Sequence, residues 1–85
     1  LPSKNIETER TLLFMEIKKS VGQRLSLARK AAGYTQEQTA NKLQMLRQAY
    51  ARYENGIFEL NYEQMITLCK LFDCSSDYLL GLSEI

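Results

Sequence analysis

The chain of 85 residues contains no histidine. That removes imidazole acid–base catalysis and the common zinc sites. Cysteine is limited to Cys69 and Cys74, which stand outside any metal-ligand pattern. A disulfide framework in a small secreted protein usually needs about four or more, so these two read as reduced, largely buried thiols. The single proline is Pro2, and no helix interior is interrupted by one. No apolar run approaches the ~18 residues needed to cross a bilayer. Leu12-Leu13-Phe14-Met15 is too short for the apolar region of a secretory signal. There is no glycine-rich phosphate loop, no metal constellation and no nucleophile–base set. An enzyme is therefore not expected, and no cofactor, metal or small-molecule ligand is implied. What remains, 45% hydrophobic and 25% charged residues, is the composition of one small globular domain.

Net charge is only +1, but it is unevenly distributed. Residues 16–52 carry eight basic side chains (Lys18, Lys19, Arg24, Arg29, Lys30, Lys42, Arg47, Arg52) against Glu16 and Glu37. Residues 53–85 carry Lys70 against six acidic side chains, and residues 1–15 balance. A basic half beside an acidic half points to a polyanion on one side; the alternative is an accident of surface composition.

The pattern is helical throughout, without strand-like alternation. Ile17, Val21, Leu25, Ala28 and Ala32 form one apolar helix face that should stop at Gly33. Thr35 opens a second helix, about 36–43, as the N-cap of a capping box closed by Gln38. Ala40 and Leu43 should face inward. A break near Gln44 and Met45 precedes a third helix, about 46–55, with Tyr50 and Tyr53 inside and Gly56 closing it. Asn61 should cap a fourth helix whose apolar positions are Tyr62, Met65, Ile66, Leu68, Cys69, Leu71 and Phe72. Ser75 should cap a fifth, carrying Tyr78, Leu79 and Leu80 and ended by Gly81. Residues 1–14 read either as a loose arm or as a backward extension of the first helix, capped by Asn5 with Glu7 and Glu9 in its first turn. Met15 suits an initiator, which leaves residues 1–14 either native or added upstream. Residues 15–85 form the domain proper.

Two short helices joined by a tight turn, from Gln36 to Asn55, have the size of a helix-turn-helix. The residues are familiar. Gly33-Tyr34-Thr35-Gln36-Glu37-Gln38-Thr39-Ala40-Asn41-Lys42-Leu43 resembles the first half of the Cro/phage-repressor type (XRE-like) helix-turn-helix family. Arg47-Gln48-Ala49-Tyr50-Ala51-Arg52-Tyr53-Glu54-Asn55-Gly56 resembles its recognition helix. Ser75-Ser76-Asp77-Tyr78-Leu79-Leu80-Gly81 is similar to the family's last helix. The resemblance covers roughly residues 17–82. It implies an all-α, compact five-helix, lambda-repressor-like domain in a cytoplasmic protein of bacterial or phage origin.

The resemblance also implies roles. Arg47 and Gln48 would reach base edges, and their chemistry agrees: Arg forks onto guanine O6 and N7, Gln onto adenine N6 and N7. Ala51 would pack against a thymine methyl, and Arg52 would touch a base or flanking phosphate. Gln36 would meet a phosphate beside the free N–H groups of its helix end, with Thr35, Asn55 and Arg24 as further phosphate contacts. Lys18 and Lys19 read either as additional contacts or as a solvated face. Arg29 and Glu54 match positions that form a structural ion pair.

Departures are equally specific. Gln44 stands where the family has Gly or Asn, Leu46 where it has a Ser or Thr cap, and Thr39 where a core Leu is common. After Gly56 the family often places a basic residue and then a proline; this chain has Ile57-Phe58-Glu59-Leu60. Ile57, Phe58 and Leu60 either fold back on the core or cover a homodimer contact. The expected function is a sequence-specific double-stranded DNA-binding regulator. Its simplest form is a homodimeric repressor reading an inverted-repeat operator, with no membrane association. The alternative is an antitoxin or protein-interaction module on the same fold.

Overall fold

The computed structural model describes residues 2–85, with side chains from residue 6 onward. Five α-helices follow in order: α1 (Pro2–Ala31), α2 (Gln36–Lys42), α3 (Arg47–Glu54), α4 (Tyr62–Phe72) and α5 (Ser76–Leu80). There is no strand among the described residues, as the all-α reading required. The side chains of residues 1–5 lie outside the described residues, but the helix starts earlier than expected: Asn5 lies inside α1 rather than capping it, and Glu7 and Glu9 fall beyond its first turn. The backbone of α1 begins at Pro2 and runs through residues 2–14 into the domain without a break.

The helix starts obey local chemistry. The Thr35 hydroxyl accepts from the Gln38 N–H at 3.0 Å, and Gln38 Oε1 accepts from the Thr35 N–H at 2.9 Å. Asn61 and Gln64 repeat this reciprocal box, at 2.7 and 2.9 Å, on α4. Ser75 accepts from the Tyr78 N–H at 3.0 Å and starts α5. Each box occupies two of the N–H donors that a helix start leaves unpaired.

Leu25 and Ala28 of α1 meet Ala40 of α2, Tyr50 of α3, Leu68 and Phe72 of α4 and Leu79 of α5 in a single core. Tyr34 leans on Phe72 with ring centroids 5.9 Å apart. Two glycines let backbones meet. A Cβ on Gly22 would collide with the Glu54 carbonyl oxygen and stand 2.7 Å from that of Tyr53, so α1 crosses the end of α3 without a side chain between them. Gly56, at φ +75°, rests against the backbone of Lys19.

Several expected core positions lie outside. Ala32 follows the last residue of α1 and is exposed, as is Ile17. Tyr62, Ile66 and Leu80 are also exposed, Tyr62 to 90%. Apolar residues occupy more of the circumference of α4 and α5 than the neighbouring helices cover. Tyr53 is only half-buried, whereas Tyr50 is fully enclosed.

Candidate nucleic-acid interface

The α2–turn–α3 unit begins with the Thr35 box and is closed by backbone bonds. The Leu43 N–H donates to the Thr39 carbonyl at 3.1 Å, and the Met45 N–H to that of Ala40 at 3.0 Å. Gln44 takes the left-handed conformation, φ 57°, that this tight turn imposes. The missing recognition-helix cap is real: Leu46 precedes α3 with an extended backbone and no side-chain bond. Thr39 solves its burial locally. It is fully enclosed, and its hydroxyl donates to the Thr35 carbonyl at 2.9 Å, so no polar group is left unpaired.

Glu54 joins three helices and the Tyr34 turn. Its Oε2 accepts from Arg29 Nε at 2.6 Å and from the Tyr50 hydroxyl at 2.6 Å. Its Oε1 accepts from Arg29 Nη2 at 3.2 Å and from Gln36 Nε2 at 3.0 Å. Arg29 Nη1 donates to the Tyr34 carbonyl at 2.8 Å. Burial alone would raise the Glu54 pKa. The bonds from Arg29, Tyr50 and Gln36 outweigh it and hold the carboxyl below its ordinary range. The hydrogen bond to Glu54 in turn raises the Arg29 pKa, while burial and then the Glu54 bond push the Tyr50 phenol up. The expected ion pair is therefore one edge of a buried four-residue network.

Gln36 carries that network to the surface. Its amide nitrogen faces Glu54, which is acceptor-only when ionised, so its carbonyl Oε1 turns outward and accepts from Arg47 Nη1 at 3.3 Å. Arg47 stands at the start of α3, exposed, beside exposed Gln48. A turn later Arg52 is exposed and Ala51 half-buried. The Arg52 guanidinium lies 5.5 Å from the centre of the Phe58 ring, toward the loop after α3. Phe58 meets the Tyr53 ring edge-on at 5.5 Å. Thr35 and Asn55 are exposed at the two ends of the unit.

Two of the basic residues considered as phosphate contacts, Arg24 and Lys18, make bonds within the chain. Arg24 Nη1 donates to the Tyr78 carbonyl at 3.2 Å, and its guanidinium lies 5.3 Å from the Tyr78 ring centre. It clamps α1 to α5. Lys18 donates to the Ile57 carbonyl at 3.4 Å and sits 4.7 Å from the centre of the Phe14 ring. Lys19 lies alongside Gly56. Of the loop after α3, Leu60 folds back against the core, whereas Ile57 and Phe58 stay exposed. Cys69 and Cys74 are free and half-buried, and burial raises both thiol pKa values, Cys74 to about 11. Such thiols are poor nucleophiles at neutral pH.

Gly22 and the bridging role of Gln36 were not legible in the sequence. A glycine in the middle of a predicted amphipathic helix was the one available signal for a close backbone approach.

A helix-turn-helix family model matches residues 25–79. Curated relatives come from Bacillus subtilis (strain 168). The HTH-type transcriptional regulator ImmR is 38% identical over 66 residues, 78% of this chain and 52% of that one. The uncharacterized HTH-type transcriptional regulator YobD is 37% identical over 62 residues, 73% of this chain and 55% of that one. The SPbeta prophage-derived uncharacterized HTH-type transcriptional regulator YonR is 36% identical over 59 residues, 69% of this chain and 55% of that one. The chain spans about half the length of these relatives. With α2, α3, their αL turn and the Glu54 network all inside the matched span, the chain belongs to the helix-turn-helix family of the Cro/phage-repressor (XRE-like) type.

Proposed function

We propose that this chain binds double-stranded DNA sequence-specifically through α3 in the major groove and regulates transcription by occupying its operator. The observation that carries this reading is the polar, basic start of α3. Arg47 and Gln48 are exposed, and Arg47 is already oriented by Gln36 against a buried carboxylate. A fork held in place before binding loses less side-chain freedom on the base. Arg47 reads guanine, Gln48 reads adenine, and Ala51 offers a methyl-sized contact to thymine. Arg52, drawn toward the loop by Phe58, serves a flanking phosphate or the last base of the half-site. Thr35, Gln36 and Asn55 contact phosphates and set the register. The relatives' names as transcriptional regulators support the same activity.

Ile57 and Phe58, exposed beside the recognition helix, favour a homodimer that reads an inverted repeat. Its half-sites would lie about one helical turn apart, and repression would follow from blocking polymerase. The same apolar loop gives the second reading, an antitoxin or protein-interaction module, its specific support.

The test is selection of bound sequences from a random duplex pool at near-physiological salt. Enrichment of an inverted repeat bearing guanine and adenine in each half-site is the expected result. Binding without enrichment and with a steep salt dependence would reduce the domain to a backbone binder. It would transfer the functional weight to the Ile57–Leu60 side.

A further inference from the structure

From Ile6 to Ile17 every side chain of α1 is exposed. Ile6, Leu13, Phe14 and Ile17 nevertheless fall within an arc of about 100° on a helix of 3.6 residues per turn, interrupted only by the exposed Arg10 between Ile6 and Leu13. Val21 and Ala28 occupy the same arc and Leu25 lies about 20° beyond its edge; Leu25 and Ala28 are core. The N-terminal stripe is thus the buried face of α1 continued past the last helix that covers it. Leu12 and Met15 are as exposed as the stripe residues but lie off it.

Where the stripe reaches the domain, an apolar groove of about 460 Å³ opens between α1, α4, α5 and the loop after α3. Ile17, Val21, Phe58, Tyr62, Ile66 and Leu80 line it. The stripe cannot fold into its own groove. Ile17 already edges it, and Ile6 stands eleven residues away on the same straight helix, about 16 Å further out.

We infer that the occupant of the groove is the N-terminal half of α1 from a second copy of the chain. Stripe and groove share one surface, so a two-fold axis seats each stripe in the other copy's groove and closes the assembly at two chains. The area is sufficient. The four stripe residues and the exposed groove residues Phe58, Tyr62, Ile66 and Leu80 offer roughly 100 Å² each. That totals about 800 Å² per partner, the size of a standard specific interface. This inference deepens the dimer reading above and rests on it.

Sedimentation velocity of the full chain tests it, with circular dichroism confirming that each variant is folded. The wild type is expected to be dimeric at micromolar concentration. Leu13→Glu and Ile66→Glu should each weaken the dimer about 100-fold or more, whereas Leu12→Glu should leave it intact. Mixing the two weakened variants should restore a heterodimer, because one unaltered stripe then meets one unaltered groove. A monomeric wild type, equal sensitivity to Leu12→Glu, or no restoration on mixing would overturn the inference. If Ile57→Glu dissociates the dimer while Leu13→Glu does not, the inference fails and the dimer stands on the loop alone. Half-site protection by monomeric Leu13→Glu reports separately on DNA reading.

Discussion

Replacing Glu54 by alanine removes the acceptor for four hydrogen bonds at once: two from Arg29, one from Tyr50 and one from Gln36. Arg29 keeps only the Tyr34 carbonyl, and the fully enclosed Tyr50 hydroxyl loses the acceptor for its proton. Breaking one side of a buried ion pair costs about 3–5 kcal/mol. A domain of this size has about 4–13 kcal/mol in total. The expected fall in Tm is therefore about 12–40 °C, since 1 kcal/mol shifts a domain of this length by about 4–8 °C. Thermal and urea unfolding followed by circular dichroism measure it, with DNA binding read at low temperature where the variant is still folded. Binding should then be weakened mainly through unfolding and a loosened Arg47. The pH dependence has a definite sign. The folded Glu54 pKa is depressed, so its contribution is full above the ordinary carboxylate pKa, about 4.3. It is lost as the pH falls below that value through the folded one. Glu54→Gln should flatten that acid limb. A Tm within a few degrees of wild type, together with abolished DNA binding, would refute the structural role and make Glu54 a direct contact.

Arg47→Ala should cost about 1–3 kcal/mol of operator affinity and relax preference at a single base pair, measured by titrating duplexes substituted one position at a time; uniform loss on every duplex would mark a phosphate contact instead. Gln44→Gly should stabilise the fold by about 1 kcal/mol in urea unfolding, because it relieves a non-glycine residue at φ 57°. Gly22→Ala should cost about 1–3 kcal/mol by the same measurement, because the atoms it meets are α3 backbone and no side-chain rotation makes room. Arg24→Ala should lower thermal stability by loosening α5 while leaving the salt slope of DNA binding unchanged, the reverse of what loss of a phosphate contact would do.

What could be read in advance was local. Thr35, Asn61 and Ser75 cap their helices because an oxygen and an N–H three residues on are brought together by the first turn alone. The awkward turn residue Gln44 and the uncapped Leu46 were visible for the same reason, since both depend on backbone conformation within a few residues. The Arg29–Glu54 pair, 25 residues apart, was accessible only through resemblance to a family; no periodicity links its partners.

Charge was the poorest guide. Arg24, Lys18, Arg47 and Arg52 belong to one basic segment, yet two of them hold α1 to α5 and to the loop after α3, and two stand exposed on α3. Sign and count do not say which carbonyl or ring a long side chain will find. Apolar pattern was similarly incomplete on α4, where Tyr62 and Ile66 share the helix with Leu68 and Phe72 but face outward.

The sequence by itself determined five helices, the starts of α2, α4 and α5, and the polar start of α3, because these follow from bonds and periodicities within one turn of chain. Only the tertiary structure decided that Gly22 lets α1 touch α3, that Gln36 links Arg47 to a buried carboxylate, and that α1 carries its apolar face beyond its own domain. Each depends on which segments distant in sequence pack together, and that is set by the joint burial of Leu25, Tyr50, Leu68 and Leu79 rather than by any one helix.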